Sequence, residues 1–161
     1  MNTIDKIKTI EEVVEIARKL REQGKTIVTT NGSFDILHAA HVNGLEKAKT
    51  EGDFLIVLLN SDSSIKKNKG DKRPIIPQEE RARMLAALQC VDYVAIFNEQ
   101  KPLEHLAKIK PHIHTKGAEI KGETRALLSK WGGKYISQGL EIGLSTTDII
   151  KRIVERYKEN Y

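Results

Sequence analysis

The chain of 161 residues is long enough for one domain with one hydrophobic core, and its 39% hydrophobic and 30% charged residues match globular usage, not a disordered or fibrous chain. A single cysteine, Cys90, excludes an internal disulfide and a multi-cysteine zinc site, and the longest apolar run, Phe54–Leu59, is too short to cross a bilayer. Lys and Arg outnumber Asp and Glu by 27 to 22, a net charge of +5 that suits a polyanionic partner. Aromatic residues make up only 5%, too few for the stacking platform of a single-strand nucleic-acid binder. A phosphate-bearing small substrate is therefore expected, with neither nucleic acid nor membrane as partner. The N-terminus lacks the apolar stretch of a signal peptide, so a cytoplasmic setting is expected.

In chain order, Thr9 and Glu12 form a capping box that opens a helix with Val13, Ile16, Ala17 and Leu20 on one face, and Gly24 stops it. Lys25–Thr30 is a β-branched run that reads as a strand, and Asn31–Leu37 is turn-like. A helix follows with Val42, Leu45 and Ala48 on one side, ended by Gly52. Phe54–Leu59 is continuously apolar, as in a strand buried on both faces of a parallel sheet. Asn60–Ile76 reads as a polar, basic loop carrying Lys66, Lys67, Lys69, Lys72 and Arg73. Pro77 opens a helix at its first position, with Glu79 and Glu80 suited to its first turn. Tyr93–Phe97 is a third strand, Pro102 opens a further helix, and Ile113–Thr115 ends a fourth strand. A short helix is expected around Arg125–Lys130, a weak strand at Lys134–Ile136, and a last helix from Ser145 with Ile149, Ile150, Ile153, Val154 and Tyr157 on its buried face. Strands alternating with helices predict an α/β fold, a single doubly wound parallel sheet. One domain spans residues 1–161, with an N-terminal helical segment at 1–24 and a core at 25–157.

In such sheets ligands bind beyond the carboxyl ends of the strands, where strand order reverses. Three segments there carry unusual residues. In Asn31–His41, Gly32 permits a tight turn, and His38 and His41, three apart at a helix start, can face the same way. Two imidazoles beside a helix N-terminus can donate to phosphate oxygens as charge builds up on them. On spacing alone the pair could equally be surface residues or a turn cap, and a zinc site lacks a third nearby ligand. In the basic loop, Lys69 is the best-placed reaching side chain and Lys67 a weaker one, while Arg81 could be a first-turn residue paired with a glutamate. At the last helix start, Ser145, Thr146 and Thr147 offer more hydroxyls than a cap requires. His112 and His114 alternate on a strand and read as structural, His105 as a helix surface residue, Cys90 as a small buried group, and Trp131 as a core or dimer contact.

The segment TTNGSFDILHAAH, Thr29–His41, resembles the NGxFDxLHxGH signature of the cytidylyltransferase-like nucleotidyltransferases. The likeness continues through NSD at Asn60–Asp62, KGDKRP at Lys69–Pro74, EERARMLAAL at Glu79–Leu88, KG at Lys116–Gly117 and LSTTDIIKRI at Leu144–Ile153. It thus runs from about Lys25 to Ile153, and implies a Rossmann-like nucleotidyltransferase fold of the HxGH type. Taken together, the motifs most resemble the heptose-1-phosphate adenylyltransferases. Glycerol-phosphate cytidylyltransferases carry RTEGISTT where this chain has LEIGLSTT, with Leu140 in place of the arginine. The resemblance implies transfer of AMP from ATP to a sugar 1-phosphate, with Mg²⁺ accompanying ATP, and a homodimer.

By the same resemblance, His38, His41, Lys69 and Arg81 are catalytic. Asn31, Gly32, Ser33 and Phe34 bind the nucleotide, together with Lys116, Gly117, Ser145, Thr146 and Thr147. Asp35, Asn60, Asp62 and Arg81 would face the acceptor. The chain departs from the signature at Ala40, where the pattern has glycine and a methyl group could crowd the phosphates. Cytidylyl transfer to glycerol 3-phosphate or ethanolamine phosphate, or adenylyl transfer to a flavin, are alternatives on the same fold. An inactive nucleotide-binding module and a basic RNA- or DNA-binding domain are the readings of another class.

Overall fold

A computed structural model describes residues 2–117, 122–139 and 145–158. After a 3₁₀ turn at Thr3–Lys6, the elements in order are β1 (Ile7–Lys8), α1 (Ile10–Glu22), β2 (Ile27–Gly32), α2 (Ala39–Thr50), β3 (Phe54–Asn60), α3 (Asp62–Lys69), α4 (Gln78–Ala87) and β4 (Tyr93–Phe97). They continue with α5 (Leu103–Ile109), β5 (Ile113–Lys116), α6 (Gly122–Ser129), β6 (Lys134–Ser137) and α7 (Thr146–Tyr157). The strands form one sheet in the order β1-β4-β3-β2-β5-β6. Every pairing is parallel, as the alternation of strands and helices requires.

β3 is the spine of this sheet. Leu55, Ile56, Val57, Leu58 and Leu59 have no solvent exposure, because helices cover both faces and alternate residues enter opposite cores. Leu55, Val57 and Leu59 pack with Leu45 and Ala48 of α2 and with Ala82, Leu85 and Ala86 of α4. Ile56 and Leu58 pack on the other face with Val13, Ala17 and Leu20 of α1 and with Leu106 and Ile109 of α5. α1 begins on the expected capping box, in which Thr9 Oγ1 accepts from Glu12 N and Glu12 accepts from Thr9 N. It ends before Gly24, which takes a left-handed φ of 71°.

Several details differ from the expectation, among them α7, where Ile153, Val154 and Tyr157, expected on a buried face, are 50–56% exposed, since periodicity gives a helix an apolar face without saying what covers it. The supposed loop Asn60–Ile76 contains α3, opened by Ser61, whose hydroxyl accepts from Ser64 N, and anchored by a single large apolar residue, Ile65. β2 runs on through Asn31 and Gly32, since both pair with β3. β1 is an additional two-residue edge strand beside β4. Pro77 and Pro102 cap their helices from just outside, one residue earlier than expected. The short helix α6 starts at Gly122, upstream of the expected Arg125. His105 is buried, its Nε2 2.6 Å from Glu99 Oε2, and is not a surface residue.

Truncating Leu58 to alanine leaves a void that the surrounding strands cannot close. It should cost about 2–5 kcal/mol, seen as a lower urea midpoint at unchanged denaturant slope.

Candidate active site

Strand order reverses between β2 and β5: from β2 the chain builds outward through β3 and β4, whereas β5 and β6 extend the other edge. A cleft of about 420 Å³ opens at this reversal, above the carboxyl ends of the two strands. Its walls are the β2–α2 junction, the end of α3 and the loop after it, the ends of β5 and β6, and the start of α7.

The β2–α2 junction is built around one aromatic ring. Phe34 takes a positive φ of 46°, and its ring lies over Gly32, where an added Cβ would stand 2.9 Å from Phe34 Cε2. Glycine at 32 therefore makes room for the ring, which in turn rests 5.1 Å from the ring of His41. His38 is the N-cap of α2 and makes no side-chain capping bond. Its imidazole stacks instead on His41, with centroids 3.7 Å apart and planes 24° from parallel. Burial, then the neighbouring His38 and Lys69, push His41 down to a pKa of about 4, so it is neutral near pH 7. Its Nδ1 is buried without a hydrogen-bond partner. A neutral imidazole with an unused nitrogen, at a helix N-terminus, is prepared for an anionic ligand.

Cations ring the same space. Lys69 at the end of α3, Arg73 in the following loop and Lys116 at the end of β5 all line the cleft. Lys69 is held below the usual lysine range by burial and by Arg73, with Asp35 opposing. Lys116 is held below it by burial and by Lys69. Positive groups crowded together in a partly buried cleft repel one another until a polyanion joins them. Gly117, Thr146 and Thr147 complete the far wall. Ser145 also lines it, but its hydroxyl accepts from Asp148 N and donates to Asp148 Oδ2, so it serves as the cap of α7.

Asn31, Gly32, Ser33, Phe34, His38, His41, Lys69, Lys116, Gly117, Ser145, Thr146 and Thr147 thus all line one cleft. The residues expected to face the acceptor lie differently. Asp35 borders the cleft, yet its carboxylate accepts from Arg73 Nε (2.5 Å), Ile75 N (2.7 Å) and Ile76 N (3.0 Å). It straps the basic loop against the β2–α2 junction. Arg81, Asn60 and Asp62 lie beneath the cleft instead of lining it. Arg81 is 1% exposed, and its guanidinium donates to Ile76 O, Ser33 O, Asn60 O and Asp62 Oδ1 at 2.6–2.9 Å. With its donors used by the protein, Arg81 is a positioning residue that ties three chain segments together. Asn60 turns its side-chain amide to Ser64 Oγ at 2.9 Å. Lys67 is exposed and does not border the cleft.

Cleft residues that sequence reasoning passed over are Thr30, Gly44, Lys47, Arg73 and Gln138. Gly44 and Lys47 follow His41 at steps of three on α2, a periodicity visible in the sequence. Arg73 belongs to the basic run already noted, whereas nothing local in the sequence singles out Gln138. The remaining histidines are structural: His112 Nδ1 accepts from Ile27 N at 3.0 Å, and buried His114 meets Thr29 Oγ1 at 2.9 Å. Trp131 Nε1 donates to Pro111 O at 2.9 Å, and the half-buried Cys90 thiol is pushed up by burial. Leu140 and the residues through Leu144 lie outside the described residues. Among the described residues no cluster of His, Cys, Asp or Glu could hold a metal ion, and no helix is long and apolar enough to cross a membrane.

Residues 29–152 match the family model described as cytidylyltransferase-like. The bifunctional protein HldE of Pelobacter propionicus is 48% identical over 155 residues, which are 94% of this chain and 32% of that protein. The HldE of Aliarcobacter butzleri is 48% identical over 164 residues, 99% of this chain and 33% of that protein. The chain therefore spans about a third of the length of these relatives. Among solved structures, a lipopolysaccharide core biosynthesis protein from Thermoplasma volcanium superposes with a TM-score of 0.60 at 30% identity, over 71% of this chain and 98% of that one. A pantoate-beta-alanine ligase from Francisella tularensis shares the fold, with a TM-score of 0.61 at 19% identity, over 96% of this chain and 79% of that one.

If Arg81 positions the site and does not touch substrate, Arg81→Leu should lower stability by about 3 kcal/mol with no ligand present, because buried acceptors lose their donor. Arg81→Lys should rescue little, since an ammonium cannot span four acceptors. Urea unfolding of the free protein checks this; wild-type stability in Arg81→Leu would contradict the role.

Proposed function

This chain belongs to the cytidylyltransferase-like family, and on that premise we propose that it transfers AMP from ATP to a sugar 1-phosphate, heptose 1-phosphate, giving ADP-heptose and pyrophosphate. The observation that carries the proposal is the stacked His38–His41 pair at the start of α2, facing Lys69, Arg73 and Lys116 around one cleft. That arrangement suits a triphosphate better than a single phosphate, because three cations line the cleft with the imidazoles. The similarity to HldE proteins over nearly the whole chain supports the choice of branch.

A phosphate oxygen of the acceptor attacks the α-phosphorus of ATP in line. The new P–O bond forms as the bond to the bridging oxygen breaks, and pyrophosphate leaves with that electron pair. No covalent enzyme intermediate is needed, so the protein's task is positioning and charge stabilisation. Imidazole N–H groups of His38 and His41 donate to the α-phosphoryl oxygens as negative charge grows on them. Lys69 and Arg73, steadied by Asp35, and Lys116 with the Thr146–Thr147 hydroxyls hold the rest of the chain of phosphates. Mg²⁺ enters as part of the nucleotide substrate, carried by phosphate oxygens and water; the strapped Asp35 carboxylate is not free to form a protein cage for it. A homodimer belongs to the same proposal, and the exposed apolar residues Ile153, Val154 and Tyr157 of α7 are consistent with a covered face.

One observation favours a second reading, an inactive nucleotide-binding module: the Ala40 side chain stands on the cleft wall beside the histidines. It foresees ATP binding without turnover of any phosphorylated acceptor. Pyrophosphate release, measured with ATP or CTP against heptose 1-phosphate and glycerol 3-phosphate, separates these readings. ATP with heptose 1-phosphate should be turned over, and His38→Ala or His41→Ala should lower kcat by about 10²–10³ while the fold persists. Turnover only with CTP and glycerol 3-phosphate, or histidine variants with full activity, would refute the proposal.

A further inference from the structure

The cations of the cleft account for the phosphates and leave one corner of it unexplained. Gln138 follows β6 directly, on the β5 side of the strand reversal, whereas Lys69 and Arg73 follow β3 on the other side. Its backbone N donates to Lys116 O at 2.9 Å, which fixes it beside the end of β5. Its side chain lines the cleft opposite Gly44, where an added Cβ would lie 3.6 Å from Gln138 Oε1. Gln138 Nε2 is buried and has no hydrogen-bond partner among the described residues.

A buried amide donor left unpaired is costly unless something that binds there completes it. The carboxamide is neutral, so it suits an uncharged part of a nucleotide, while the neighbouring Lys116 ammonium suits a phosphate. Gly44, with no side chain of its own, lets Gln138 Oε1 lie close against α2, which holds the carboxamide from that side. A carboxamide presents an acceptor beside a donor, which matches the 6-amino group and N7 of adenine, whereas hypoxanthine offers acceptors at both places and leaves Oε1 unpaired. We infer that Gln138 binds the adenine edge of ATP and sets the preference for that base. This inference rests on the adenylyl-transfer reading above and adds to it a specificity-determining residue.

Equilibrium binding of ATP, inosine 5′-triphosphate, CTP and pyrophosphate to the whole chain tests it. Inosine triphosphate carries an oxygen in place of the 6-amino group and leaves the phosphates unchanged. Wild type should bind ATP about tenfold more tightly than inosine triphosphate, as expected for one good amide–base pairing. Gln138→Met, nearly the same size but without the amide, should bring that ratio close to one and leave pyrophosphate affinity within about twofold. Gln138→Leu should behave alike, guarding against an effect peculiar to methionine. An unchanged ratio in both variants overturns the assignment and leaves adenylyl transfer standing. An equal loss of pyrophosphate affinity also overturns it, because the effect would then be structural. Wild-type binding of CTP in place of ATP overturns both.

Discussion

The guanidinium of Arg81 is buried beneath the ends of β2 and β3, and the shape of the cleft depends on where its hydrogen bonds go. One goes to Ser33 in the β2–α2 junction, one to Asn60 at the end of β3, one to Asp62 at the start of α3 and one to Ile76 behind the basic loop. A charge with so little exposure is tolerable only when its donors are used, so the three segments that carry these acceptors must meet in one geometry. Asp35 repeats the device from the other side, accepting from Arg73 and from two backbone amides of the same loop. Together they bring a mobile-looking basic sequence to a fixed position facing the histidines.

That fixed geometry explains the electrostatics above it. Lys69 and Lys116 are both held below their usual range, and His41 is pushed toward neutrality by burial and by its positive neighbours. Without an anion the site is a set of groups that disfavour one another's charge. On the proposed function, a triphosphate would relieve that repulsion and supply an acceptor for His41. The proposed binding and stabilisation of developing charge would then use the same groups, with little reorganisation during the transfer.

Much of this was legible in the sequence, and the failures share a physical cause. The continuous apolar run Phe54–Leu59 could only be a doubly covered strand, and the Thr9–Glu12 box could only open a helix. α3 escaped notice because it buries one large apolar side chain, Ile65, so its helical period is almost silent. The family resemblance places Arg81 at the substrate, and only its burial, which no motif records, separates contact from support. Asp35 is the same case with opposite charge. Gln138 had no local signal at all; its significance comes from the meeting of β6 with α2. Residues that line the cleft from a strand end or a helix start lie within motifs, whereas residues placed by tertiary contact do not.

The central claim is that the His38–His41 pair and the surrounding cations form one site completed by a polyphosphate. NMR titration of the His41 imidazole with and without bound ATP tests this most directly. In the free protein His41 should titrate near pH 4, below the ordinary 6.5, because burial and positive neighbours disfavour its charged form. A triphosphate on the ring must raise that value, so ATP binding should take up a proton at His41 and strengthen as pH falls through the raised value toward about 4. A His41 pKa that ATP leaves unchanged would contradict the account.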